Sequence, residues 1–187
     1  MIPVLDLVNL KQTGSVKNWQ LGSTIGIVDP TYGPLKATYC YIQDKVTTAN
    51  CSPAFEDPAA GDWYVDEDED ESGVIGQEYC VGAFLAYPAT TDAAYGWVLT
   101  AGRNPLAMAT SSSGVAAGEF LFATDTNGTW DGTAQAISVA ATSGTAYQGL
   151  GRIVGLATAD DTSNALAAGD AIFHSIWAGF PCVIGAA

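Results

Sequence analysis

Basic residues are scarce in this sequence: 6 lysines and arginines stand against 20 acids, for a formal net charge of −14. A field of that sign repels phosphate backbones and anionic lipid, so no nucleic acid and no membrane surface is expected as a partner. Histidine is scarcer still. The single one, His174, sits in the apolar run AIFHSIW, where it reads as a core or interface residue rather than half of a hydrolase pair. Cys40, Cys51, Cys80 and Cys182 form no CxxC pair and have no histidine at ligand spacing. A metal site is therefore not expected, and the four are read as reduced thiols. A nucleophile elbow is missing too, so neither catalysis nor a cofactor is expected. No stretch approaches the ~20 apolar residues of a membrane span. The start MIPVLDLVNLKQTG carries Pro3 and Asp6 and no basic leader, unlike a secretory signal, so the chain is expected to be made in a cytoplasm.

Hydrophobic residues make up 48% of the chain and charged ones only 14%, with 21 glycines and 8 prolines. That composition, without helical periodicity, predicts an all-β fold: a single compact barrel or sandwich of short antiparallel strands. STIGIVD and KATYCYIQ flank the turn DPTYGP and read as a hairpin. The region after Val46 reads as irregular, with DWYV a short strand. It leads into six consecutive acids, Asp66 to Glu71, within an acidic loop near 56–73. Like charges in series predict a solvated, self-repelling turn, and calcium loops space their ligands differently. From Gly73 onward short strands resume, and residues 23–187 form one domain. Residues 1–22 alternate weakly and are expected to be an extended arm or a loosely attached first strand. As an arm, they would reach a partner through Ile2, Val4, Leu5, Lys11, Lys17 and Trp19, and their removal would leave the barrel folded. An ordinary edge strand of the protein's own sheet is the competing expectation.

One unit occurs twice. GRNPLAMAT precedes GVAAGEFLFAT, and GRIVGLAT precedes ALAAGDAIFHS. Each unit reads as strand, turn, strand. Gly118 and Gly169 suit a tight turn of positive φ, and Glu119 and Asp170 can accept from nearby amides. Arg103 and Arg152 occupy equivalent places, where each is expected to bridge to an acid or a strand carbonyl. The alternative is a ligand anchor. Phe120, Phe122, Phe173, Ile176 and Trp177 are expected core and interface fillers. The surplus of tryptophan and tyrosine over what a barrel core needs points to subunit contacts.

The run YPATTDAAYGWVLTAGRNPLAMATSSSGVAAGEFLFAT, followed by GRIVGLATADD and LAAGDAIFHSIW, resembles the capsid decoration (cement) proteins of tailed bacteriophages. Tyr95, Gly96, Trp97, Val98, Gly102, Arg103, Gly118, Glu119, Gly155 and Ala157 carry the resemblance, which covers about the last hundred residues. Leu99 departs from the usual glutamine, and the acidic loop is a further departure. The resemblance implies a virion structural protein on the outer surface of an icosahedral shell, with the major capsid protein as partner and self-association as a homotrimer. A host-attachment or carbohydrate-binding module of the virion is the alternative, with Trp63 and Trp130 as stacking platforms.

Overall fold

The computed structural model describes residues 6–43, 51–57, 60–67, 79–86, 94–110, 114–123, 128–133 and 155–173. The elements in order are α1 (Leu7–Leu10), β1 (Thr24–Asp29), β2 (Gly33–Ile42), β3 (Pro53–Glu56), β4 (Tyr64–Asp66), β5 (Tyr79–Phe84), β6 (Ala94–Arg103), β7 (Met108–Ala109), β8 (Phe120–Ala123), β9 (Trp130–Thr133), β10 (Gly155–Ala157), β11 (Ala165–Leu166) and β12 (Ala171–Phe173). The fold is all-β, as the composition predicts.

Strands β2, β4, β3, β5 and β6 close into a five-stranded barrel, because β6 returns to pair with β2. The β2–β4 pair is parallel and the others are antiparallel. With 10 residues each, β2 and β6 overrun the barrel. Their overhangs carry a second, open antiparallel sheet in the order β1-β2-β6-β12-β10-β8-β9. Over residues 37–42 and 95–99 both faces of these two strands are covered. Ala37, Tyr39, Trp97 and Leu99 enter the main core, whereas Cys40, Ile42 and Val98 enter a smaller one with Phe84 and Val65. That double burial explains why ATYCYI and YGWVL read as nearly continuous apolar runs. Close packing fixes Gly82 of β5: its φ is +155°, and a Cβ there would overlap the Leu99 carbonyl oxygen of β6.

Local chemistry specifies the first hairpin. The Asp29 carboxylate accepts the amides of Thr31 (2.8 Å) and Tyr32 (3.0 Å). Pro30 presets φ for the turn, and Gly33 follows at φ +77° as the left-handed residue that restores the ladder. Two expectations for residues 46–73 are corrected. A strand, β3, lies inside the supposedly irregular region, with Pro53 at its first position, where the missing N–H is tolerated. Asp66 and Glu67 are 0% and 1% exposed rather than solvated. The cause is β4, which runs into the acidic stretch while held between β2 (Ile42↔Val65) and β3 (Phe55↔Asp66). Gln43 Nε2 donates to Asp66 (3.3 Å) and Asp57 (3.4 Å). Residues 68–71, the expected strand AQAISVAA, Arg152, His174, Ile176, Trp177 and Cys182 lie outside the described residues.

Candidate functional site

The segment 6–22 was the first candidate for partner contact, and its described part is fastened to the chain's own barrel. Asp6 caps a single helical turn through Oδ1, which accepts the Asn9 amide at 2.9 Å. Spacing of three then turns Leu7 and Leu10 to one side, where both are buried in the main core. Farther along, Gly14 exchanges backbone bonds with Tyr95 (3.0 and 2.8 Å), and Gly22 N–H donates to the Tyr39 carbonyl (2.9 Å). Lys11 is half-buried and donates from Nζ to the Pro105 carbonyl at 3.3 Å. Trp19 is half-buried, edge-on to Trp97 at 6.0 Å. Lys17 is exposed. Ile2, Val4 and Leu5 lie outside the described residues. The free-arm expectation is thus corrected for residues 6–22: apolar leucines find the core of their own chain before any partner.

The doubled unit is where the structure brings functional-looking residues together. Ala116–Glu119 and Ala167–Asp170 form the same turn, each closed by an N–H to carbonyl bond of 3.1 Å, with Gly118 at φ +89° and Gly169 at +95°. Each turn docks on the other unit. Gly118 N–H donates to the Ala157 carbonyl and Ala157 N–H to the Glu119 carbonyl, both at 2.9 Å. Reciprocally, Gly169 N–H donates to the Asn104 carbonyl (2.8 Å) and Asn104 N–H to the Ala171 carbonyl (3.0 Å). Arg103 Nη1 donates to the Gly169 carbonyl at 2.7 Å, so it bridges to a carbonyl of the other unit's turn rather than to an acid or a strand carbonyl.

Asn104, which no motif in the sequence marks, is the centre of this clasp. It is 0% exposed. Its Nδ2 donates to the Leu106 and Ala167 carbonyls (2.9 Å each), and its Oδ1 accepts from Gly169 (3.1 Å) and Ala171 (2.7 Å). All four hydrogen-bonding positions of the amide are used.

Beside the clasp lies an open cleft of 390 Å³ whose lining includes Glu119, Asp131, Asp160 and Asp161. Each carboxylate serves the local backbone or a hydroxyl. Glu119 Oε2 accepts the Ala116 amide (2.9 Å), Asp160 Oδ1 that of Ala117 (2.8 Å), and Asp131 Oδ1 that of Gly132 (2.8 Å). Asp161 Oδ2 accepts from the Thr110 hydroxyl at 2.5 Å. Among the described residues, no group of three or more His, Cys, Asp or Glu side chains is placed to hold a metal ion.

Among the described residues, many of the aromatics pack on one another within the chain. Tyr39 packs on Trp97 (5.0 Å), and Tyr41 packs on Tyr64 (4.7 Å) and Tyr95 (5.1 Å). Burial pushes the Tyr39 phenol above its ordinary range, and the same cause raises the Cys40 thiol and takes Cys51 up to about 12. Cys40, Cys51 and Cys80 are all buried. Trp130 is 0% exposed and donates from its indole nitrogen to the Cys51 carbonyl at 2.7 Å. It therefore presents no ring to a sugar. Trp63 is half-buried against Gly22 and the smaller core. Comparison of the chain with protein-family models, curated proteins and solved structures finds no match.

Proposed function

We propose that this chain is a virion structural protein that decorates the outer surface of an icosahedral phage shell. It stabilises the lattice by bridging neighbouring major capsid subunits, as a homotrimer, and acts by binding rather than by catalysis. One observation carries the reading. The residues of the decoration-protein resemblance form a connected frame: Tyr95 to Val98, Gly102 and Arg103 on β6, Gly118 and Glu119 in the first clasp turn, and Gly155 and Ala157 on β10. That these residues, spread from position 95 to 157, fold into one scaffold supports a structural role for the motif, and a frame of this kind is what a binding protein needs. The charge of −14 favours solubility at the high copy number that a decorated shell requires. The host-attachment reading is weakened by Trp130, one of its two stacking platforms, which is buried.

Co-sedimentation tests the proposal. Shells stripped of this protein are mixed with the purified chain at increasing concentration. Saturable binding at hundreds of copies per particle is expected. Failure to co-sediment, or saturation at a handful of copies, refutes it.

A further inference from the structure

The cations and exposed aliphatics are not spread evenly. Within residues 6–44, Lys11, Lys17 and Lys36 balance Asp6, Asp29 and Asp44, whereas the rest of the chain sets 17 acids against three basic residues. Among the described residues, the large hydrophobic ones that stand most exposed fall in the same stretch: Val8 at 66%, Val16 at 65% and Val28 at 81%.

Val28 belongs to β1, the end strand of the open sheet, and among the described residues β1 pairs only with β2. The phase of that ladder is fixed by two facts. Pro34, opposite Val28, has no N–H to give. Tyr39 bonds the Ser23 carbonyl and the Gly22 amide (2.9 Å each), so the bonded phase continues through Ile25, Ile27 and Asp29. Thr24, Gly26 and Val28 consequently direct their N–H and C=O groups outward. Residues 24–28 contain no lysine, proline or other charge to blunt the edge, and the one charge of the strand, Asp29 at its end, accepts the turn amides of Thr31 and Tyr32. Lys36, exposed, is the cross-strand neighbour of Gly26, which has no side chain to cover it.

We propose that the outer edge of β1 is a docking site for an extended acidic segment of a partner protein, added as a further antiparallel strand. Backbone bonds form at Thr24, Gly26 and Val28, carboxylates meet Lys36, and an apolar side chain covers Val28. The local charge at this edge selects this occupant: Lys36 is the exposed cation beside Gly26, and β1 of a second copy laid antiparallel about Gly26 sets Val28 against Thr24 with no acid opposite Lys36. The assignment stands on edge geometry and charge, whether or not the partner belongs to a shell.

Amide exchange in the ¹⁵N-labelled full chain tests it, with a synthetic peptide of alternating glutamate and valine as the probe and its lysine counterpart as control. In dilute free protein, Thr24, Gly26 and Val28 are expected to exchange about tenfold or more faster than Ile25, Ile27 and Asp29. The glutamate peptide slows those three amides and the lysine peptide does not. Val28→Pro removes an N–H that β2 does not use, and should abolish the response while Ile25 and Ile27 stay protected. Should proline unfold the strand, Val28→Asp keeps the N–H and should still weaken the response. Outward amides already protected in dilute protein, protection that rises with protein concentration alone, or equal effects of both peptides would each overturn the proposal.

Discussion

Replacing Asn104 with alanine should remove more stability than any surface change in this protein. The side chain makes four hydrogen bonds at 0% exposure. Not all of its partners are stranded by truncation. Gly169 N–H keeps the Asn104 backbone carbonyl, and the Ala167 carbonyl keeps the Asp170 amide. The Ala171 amide and the Leu106 carbonyl each lose the bond that Asn104 gave. At about 1–3 kcal/mol for each buried group left without its bond, the expected loss is about 2–6 kcal/mol. That is a large part of the about 5–15 kcal/mol that holds a typical domain together. Equilibrium urea unfolding followed by tryptophan fluorescence reads it as a lower midpoint with an unchanged slope. Asn104→Asp sharpens the test. Its carboxylate would face the Leu106 and Ala167 carbonyls without a proton to donate, so burial and these oxygens hold its folded pKa above the unfolded value. The variant is therefore stabilised as pH falls and should be worse than alanine at neutral pH. A loss below about 1 kcal/mol for alanine would refute the clasp as a source of stability.

Leu10→Ala is expected to cost about 2–5 kcal/mol by the cavity it leaves in the core, and deleting residues 1–18 should lower the melting temperature markedly. An unchanged melt would return the segment to the status of a free arm. Gly82→Ala should destabilise by about 2–4 kcal/mol, because the left-handed φ and the overlap with the Leu99 carbonyl act together; wild-type stability in thermal scans would contradict this. The thiols predict alkaline lability. With the folded pKa of Cys51 raised from 9.0 to about 12, the folded state holds a proton that the unfolded state has lost, so stability is intact below about pH 9 and falls above it. The fall is about 1.4 kcal/mol per pH unit from that thiol, and urea midpoints measured between pH 8 and about pH 11 check it. Flat midpoints would rule it out.

What the sequence made legible was local. Asp29, Pro30 and Gly33 write the first hairpin within five residues, and the two Ala-Ala-Gly-acid turns fold alike because each needs only its own glycine and closing amide. Closure of the barrel was not legible, since the β2–β6 pairing joins residues some sixty positions apart through no local signal. Nor was Asn104, whose setting in GRNP suggests a loop, while its partners lie at Leu106 and then across 63 to 67 positions. Asp66 and Glu67 misled for a related reason. Charge patterning speaks for isolated segments, and here a central strand drew the first two acids inside. Four residues of helix at 7–10 are too few for periodicity to reveal.

The claim that this chain coats a phage shell is tested most directly by imaging purified virions at subnanometre resolution. The account predicts density fitting this barrel with its attached open sheet, in three-fold groups repeated over the outer surface of the shell. A bare outer surface, isolated monomers, or density confined to the tail or a single vertex would contradict it.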